Sequence, residues 1–199
     1  VWSAKSIQLS GFPAEKIWIV HHGVDDASFE PTPDSTKVSI RARLGIGADE
    51  HVLLNVGAGT FNKGLDLVVR GFAQSLEQTR FRHRKQRLVI KGLDGIYGNA
   101  LSNIAKLSDI QSQLVYLLEQ EALLYIGSDL SESQMDELYR LADIYITPYR
   151  AEGFNIPALE AAARGLHVIA TKGGSTDDFL TCFSNTESLQ SVTQYLPNG

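Results

Sequence analysis

The sequence predicts an α/β fold in which a parallel sheet carries helices on both faces, and three observations predict it. From residue 51 onward, short apolar runs alternate with segments of helical period, the mark of repeated strand–helix units. A glycine-rich turn, Gly57 to Gly64, joins the first of these runs to its helix. Near the other end, the apolar run Asp143–Ile146 leads through a loop holding Glu152 and Gly153 into a helix with Pro157 in its first turn. Proline is harmless there because the N–H it lacks would have no helical partner.

In chain order, Ser3–Leu9 reads as a short helix broken by Gly11-Phe12-Pro13, and Lys16–Val20 reads as a strand. Neighbours on a strand face opposite ways, so His21 and His22 are not expected to share a metal. Phe29 to Pro33 is a proline-marked linker, and a basic helix is expected from Ser35 to Leu44, closed by Gly45. His51–Val56 is the first strand of the alternating run. Leu65–Leu76 follows as an amphipathic helix with Leu65, Val68, Val69, Phe72 and Leu76 on one face. Leu88–Ile90 is a second strand, Ala100–Gln113 a weaker helix and Leu123–Ile126 a third strand. Ser131 and Gln134 form a capping box that opens a helix running through Leu141. His167–Ala170 is the fifth strand of the series, and Thr186–Leu196 is expected to be a last helix. The organisation expected is residues 1–33 as a separate lead-in and linker, with residues 34–199 as the α/β domain.

Composition narrows the function. A net charge of −5 argues against nonspecific nucleic-acid binding. The single cysteine, Cys182, excludes an intramolecular disulfide; it suits a reducing, cytoplasmic setting, where it is expected to be a small buried hydrophobe. No apolar run approaches the roughly 20 residues of a membrane helix. No apolar stretch of a signal peptide follows the N-terminus, and a chain opening on Val1 is expected to be a piece of something longer. The basic run Arg80–Arg87 reads as a solvated turn at a helix end. Its alternative is a peripheral contact with an acidic membrane surface.

The turn Gly57-Ala58-Gly59-Thr60-Phe61-Asn62-Lys63-Gly64 sits where an anion would be held by backbone N–H groups and a helix dipole. It is not a dinucleotide fingerprint, because Asn62 stands at the third glycine and the second strand ends in Lys91-Gly92 without an acid. Nor is it a P-loop, because Leu65-Asp66 follows where Ser or Thr is needed. Glu152 and Glu160 stand in an E-x7-E spacing. Helical side chains lean toward the N-terminus, so Glu160 is aimed back at the loop of Glu152, at the carboxyl end of a strand where open α/β sheets bind ligands.

Taken together, Gly57 to Lys63-Gly64, Glu152-Gly153-Phe154 and Glu160 resemble family 4 of the retaining glycosyltransferases. Gly23-Val24-Asp25 and Phe29-x-Pro31 look like its interdomain linker. Leu138-Tyr139, Ala142-Asp143, Pro148, Pro157, Gly165, Val168–Thr171 and Gly173-Gly174 continue the likeness over nearly the whole chain. The resemblance implies a GT-B enzyme, two Rossmann-like domains facing across a cleft, with this chain covering the end of the first, the linker and most of the second. It implies a nucleotide-diphosphate sugar as donor, no metal and no other cofactor. Lys63 would bind the diphosphate and Glu160 the ribose. Glu152 and the backbone of Gly153, Phe154 and Asn155 would hold the sugar and distal phosphate, with Gly57 and Gly59 in the loop beneath. Glu152 and Lys63 would be the catalytic pair.

The chemistry agrees: carboxylates repel a diphosphate but accept hydrogen bonds from hydroxyls, whereas the diphosphate needs cations and helix N-termini. Two positions depart from the family pattern. Ala58 replaces an Arg, for which Arg150 is the candidate substitute, and Asn155 stands where glycine is common. A noncatalytic nucleotide-sugar or partner-binding module of the same fold, and a GT-B epimerase or phosphorylase, are the competing readings.

Overall fold

The structure is a computed structural model that describes residues 2–78, 85–107 and 109–189. Six strands form one sheet in the order β3-β2-β1-β4-β5-β6: β1 His51–Val56, β2 Gln86–Lys91, β3 Leu123–Ile126, β4 Ile144–Thr147, β5 His167–Thr171 and β6 Thr186–Leu189. All pairings are parallel, as helical crossovers require. The helices are α1 Trp2–Leu9, α2 Asp34–Arg43, α3 Leu65–Glu77, α4 Asp94–Tyr97, α5 Ala100–Leu107, α6 Gln111–Glu119, α7 Glu132–Leu141, α8 Ile156–Ala163 and α9 Asp177–Leu180.

Two cores hold the layers together. On one face Val52, Leu54, Val89 and Tyr145 pack under α2, α7, α8 and α9 through residues such as Ile40, Leu138, Leu159 and Phe179. On the other, Leu88 and Ile90 pack under α3, α5 and α6 through Val68, Phe72, Ile104 and Leu117. Helices therefore cover both faces, as expected, and the Rossmann-like α/β reading stands.

Chain direction reverses its march across the sheet between β1 and β4: β2 and β3 lie to one side, β5 and β6 to the other. The loops leaving these neighbouring strands on their carboxyl ends diverge to opposite faces, β1 to α3 and β4 to α8. A crevice at such a switch point is where open sheets take ligands. Those two loops carry Lys63 and Glu152.

Several local expectations are corrected. Lys16–Val20 forms no strand among the described residues: Lys16 closes a 3₁₀ turn, Ala14–Lys16, and Trp18 and Val20 are almost fully exposed. A strand exists only where a neighbour takes its backbone hydrogen bonds. Thr186–Leu189 is a strand rather than the start of a helix, because β5 offers it an open edge and pairs Val168 with Thr186 through Thr171 with Leu189; the rest of that expected helix lies outside the described residues. The helix expected over 100–113 is two, α5 and α6, with the fully buried Ile110 between them. Cys182 is exposed, in the turn after α9. Most of the basic run, residues 80–84, lies outside the described residues.

Candidate functional site

The β1–α3 loop is shaped by what cannot be there. Gly64 has φ +68°, and a Cβ would collide with the Pro148 carbonyl of the facing loop, so only glycine lets the two loops approach. A Cβ on Gly59 would strike the backbone of Ala100 at the start of α5. Gly57 has open space around its Cα, and its N–H donates to the Lys91 carbonyl of β2 at 3.0 Å. Ala58 is buried. Lys63 ends a 3₁₀ turn, Phe61–Lys63, just before α3, and its ammonium is ion-paired with Glu152 Oε2. Lys63 is about one-third exposed and Glu152 13% exposed.

The β4–α8 loop mirrors it. The second carboxylate oxygen of Glu152 accepts from the Gly153 N–H at 2.9 Å. The Phe154 ring packs against those of His22 (4.8 Å between centroids) and Phe179 (4.9 Å). Asn155 precedes α8 in the left-handed conformation, φ +73° and ψ +63°. That explains why glycine suits the position. Asparagine is tolerated there better than other side chains, and its amide Nδ2 donates to Thr147 Oγ1 at 3.0 Å.

Glu160 lies in the middle of α8, half-buried, and Tyr139 of α7 donates to its Oε2 at 2.6 Å. Burial above all, with the charge of Glu160 added, pushes the Tyr139 phenol well above its ordinary pKa, so it stays a donor. Burial also raises the phenol of Tyr145, and the charges of Glu160 and Glu152 both act on it in that direction. The two carboxylates of the E-x7-E spacing thus bear on one buried phenol of β4.

Arg150 is not a free cation. Its Nη1 and Nη2 meet Asp66 Oδ1 and Oδ2 at 2.7 and 2.8 Å, and Nη1 also donates to the Phe61 carbonyl at 2.8 Å. Its place as substitute for the arginine missing at Ala58 therefore competes with a buried carboxylate.

Three features escaped the sequence reading. Lys91, at the carboxyl end of β2 and paired in register with Val56, is 2% exposed, and the one partner of its ammonium among the described residues is the Gly92 carbonyl. A lysine closing an apolar strand was the available signal. Asp94 accepts from the Tyr125 hydroxyl, which in turn accepts from the Ala100 N–H at 2.9 Å and so caps α5. Burial, with Asp94 beside it, lifts Tyr125 to about 12. Finally, His22 serves the site as an aromatic neighbour of Phe154. Among the described residues, no group of three or more His, Cys, Asp or Glu is placed to hold a metal.

Paired carboxylates, a lysine and a glycine-lined loop at the switch point of a parallel sheet define a Rossmann-like domain of the GT-B glycosyltransferase type. Residues 37–185 match the family model described as glycosyl transferases group 1, and the chain belongs to that family. Among curated proteins it is 34% identical over 168 residues to a D-inositol 3-phosphate glycosyltransferase of Kineococcus radiotolerans, a match covering 84% of this chain and 37% of the relative. It is 27% identical to a mannosylfructose-phosphate synthase of Agrobacterium fabrum over 82% of this chain and 34% of that one. The chain thus spans little more than a third of these relatives. Among solved structures, Anabaena HepE in complex with UDP-glucose superposes with a TM-score of 0.69 at 18% identity, over 88% of this chain and 44% of that one. A glycosyltransferase from Rickettsia africae gives 0.68 at 21%, over 87% and 43%. No helix among the described residues is long and apolar enough to cross a membrane.

Proposed function

We propose that this chain is the donor-binding part of a retaining, metal-independent glycosyltransferase. In that reading residues 34–199 form the donor domain, residues 1–33 are the end of a first domain and its linker, and the acceptor is held by a domain outside this chain. The reaction breaks the bond from the sugar's anomeric carbon to the diphosphate oxygen and forms one to an acceptor hydroxyl oxygen, the hydroxyl proton passing to the departing diphosphate.

The observation that carries the reading is the Lys63–Glu152 pair at the switch point, with Glu160 on the helix that follows the Glu152 loop. Lys63 would move from Glu152 to the diphosphate, aided by the backbone that leads into the amino end of α8 and by close backbone approach at Gly57 and Gly59. Glu152, freed, would accept from sugar hydroxyls, next to the backbone of Gly153, Phe154 and Asn155. Glu160 would accept from the ribose. The exposed Trp18 and Val20 fit a lead-in that leans on the missing domain. A cytoplasmic setting suits the exposed free thiol of Cys182.

Thermal-shift titration with UDP, GDP, ADP and UDP-glucose, with and without EDTA, tests this. A rise in melting temperature with one nucleotide, unaffected by EDTA, is expected. No rise with any of them at millimolar concentration overturns the reading, and loss of the rise in EDTA overturns the metal-free part. A noncatalytic nucleotide-sugar-binding module is favoured by one observation, the buried Ala58 where the family has arginine. It predicts the same binding but no transfer by the full-length protein.

A further inference from the structure

Glu152 and Lys63 sit on two different loops, and neither loop contains regular structure long enough to fix its own side chains. We propose that Arg150 and Asp66 are a positioning pair that locks the β4–α8 loop to the β1–α3 loop, and that Arg150 is not itself a phosphate ligand. The proposal rests on the reading that Lys63 and Glu152 hold the donor.

The geometry on which it stands is a zipper across the crevice floor. The Asn62 carbonyl accepts from both the Arg150 and Ala151 N–H groups, at 2.8 and 3.2 Å, and the Asn62 amide returns a bond to the Ala151 carbonyl at 3.3 Å. Over this backbone seam lies the Arg150 guanidinium, 3.9 Å from the centroid of the Phe61 ring. Its two terminal nitrogens take both oxygens of Asp66 and the Phe61 carbonyl. Asp66 stands in the first turn of α3 with its side chain 6% exposed. The anchor point therefore belongs to a long, well-packed helix rather than to another loop.

A bidentate arginine–carboxylate fork specifies orientation as well as distance, which a lysine or a single hydrogen bond cannot do. Glu152 follows Arg150 by two residues, and Lys63 lies inside the segment bounded by Phe61 and Asp66. Fixing Arg150 on Asp66 thus fixes the spacing of Lys63 and Glu152. The same fork argues against direct phosphate binding. The two nitrogens that could grip a phosphate as a fork are committed to a buried carboxylate, and that carboxylate would repel an incoming anion.

The two roles for Arg150 predict opposite outcomes for Asp66→Asn. A phosphate ligand released from its carboxylate would bind UDP more tightly. A positioning residue robbed of its anchor would bind it less well. The experiment combines hydrogen–deuterium exchange of the amides of residues 150–155 in the ligand-free protein with calorimetry of UDP binding. It uses Asp66→Asn, Arg150→Ala, Arg150→Lys and the exchanged pair Asp66→Arg/Arg150→Asp. Expected are exchange at least tenfold faster and UDP binding about tenfold weaker in both Asp66→Asn and Arg150→Ala, no rescue by Arg150→Lys, and partial recovery of both readouts in the exchanged pair.

Unchanged exchange in the single variants overturns the proposal, and so does tighter UDP binding by Asp66→Asn. If the parent binds none of UDP, GDP or ADP, the functional reading fails by itself, while the exchange measurement still decides whether the pair locks the loop.

Discussion

The two edges of the sheet use the same chemistry to opposite ends. At the amino ends of the strands, Asp143 accepts from Lys37 at 2.5 Å, Arg41 at 2.7 Å and the Val52 N–H at 2.8 Å. Arg41, almost wholly buried, spends its other donors on the carbonyls of Leu141, Ala48 and Glu50. Beside it Glu50 grips Arg87 with both oxygens, at 3.0 and 3.2 Å, and accepts from the Gly47 N–H. At the carboxyl ends, among the described residues, the ammonium of Lys63 has one ion-pair partner and that of Lys91 one carbonyl. Ion pairs alone therefore do not mark a site. Saturation closes the lower edge for stability, and incomplete saturation leaves the upper edge open to an occupant. Arg150–Asp66 is the exception on the upper edge, which is why it reads as architecture.

The largest expected effect tests the lower edge. Asp143→Ala strands Arg41 in the interior and should cost about 3–5 kcal/mol in urea denaturation. The sign of its pH dependence follows from its surroundings. Burial pushes the Asp143 carboxyl up, but Lys37, the Val52 N–H and Arg41 outweigh it and hold the group below its ordinary range. Glu50 is likewise raised by burial and pulled lower overall by Arg87 and the Gly47 N–H. A depressed pKa means stability present above the unfolded value and lost as pH falls through the folded one. The parent should therefore lose stability below about pH 4, and Asp143→Asn should flatten that limb. A cost below that of Lys63→Ala would break the comparison.

Next come the open-edge residues, whose effects should fall on binding rather than folding. Lys63→Ala should cost less stability than Asp143→Ala, because Lys63 is about one-third exposed and Glu152 keeps the Gly153 N–H. It should weaken nucleotide-diphosphate binding about tenfold to a hundredfold, the range of a lost charge-assisted bond. Glu160→Ala should weaken bare nucleotide and nucleotide sugar alike, while Glu152→Ala should weaken only the nucleotide sugar. Four calorimetric affinities decide this. Equal losses for Glu152→Ala with both ligands would refute the division between sugar and ribose.

The smallest effect sharpens the comparison at one residue. Asn155→Gly relieves a left-handed non-glycine conformation, worth about 1 kcal/mol, but forfeits the bond to Thr147, worth about the same. Thermal unfolding should show a net change below about 1 kcal/mol. A loss of several kcal/mol would mean that the Asn155 side chain supports the loop in a way its single bond to Thr147 does not explain.

What the sequence made legible follows from which interactions are local. The buried strands, the amphipathic α3 and the Ser131–Gln134 capping box, found in full in the structure, are all written in spacings of a few residues. The placement of Glu152 and Glu160 after β4 was legible because one loop and the helix that follows it carry them. Lys16–Val20 and Thr186–Leu189 were misread because a strand depends on its neighbour, which short windows do not contain. The Arg150–Asp66 fork joins segments far apart in the chain, and no local spacing signals it; the Lys91 burial left only a faint signal, a lysine closing an apolar strand.

Lys63 and Glu152 are each other's partner, and under the proposed reading that makes the site a two-input gate. An anion alone can replace the carboxylate on Lys63 but leaves Glu152 with only the Gly153 N–H beside a new negative charge. A neutral sugar alone can satisfy Glu152 but cannot draw the lysine away. Only a molecule offering a charge and hydroxyls together exchanges one complete pairing for another. Under the proposed reading, free phosphate and free hexose would each replace only one half of the Lys63–Glu152 pair, and each should bind more weakly than a nucleotide sugar.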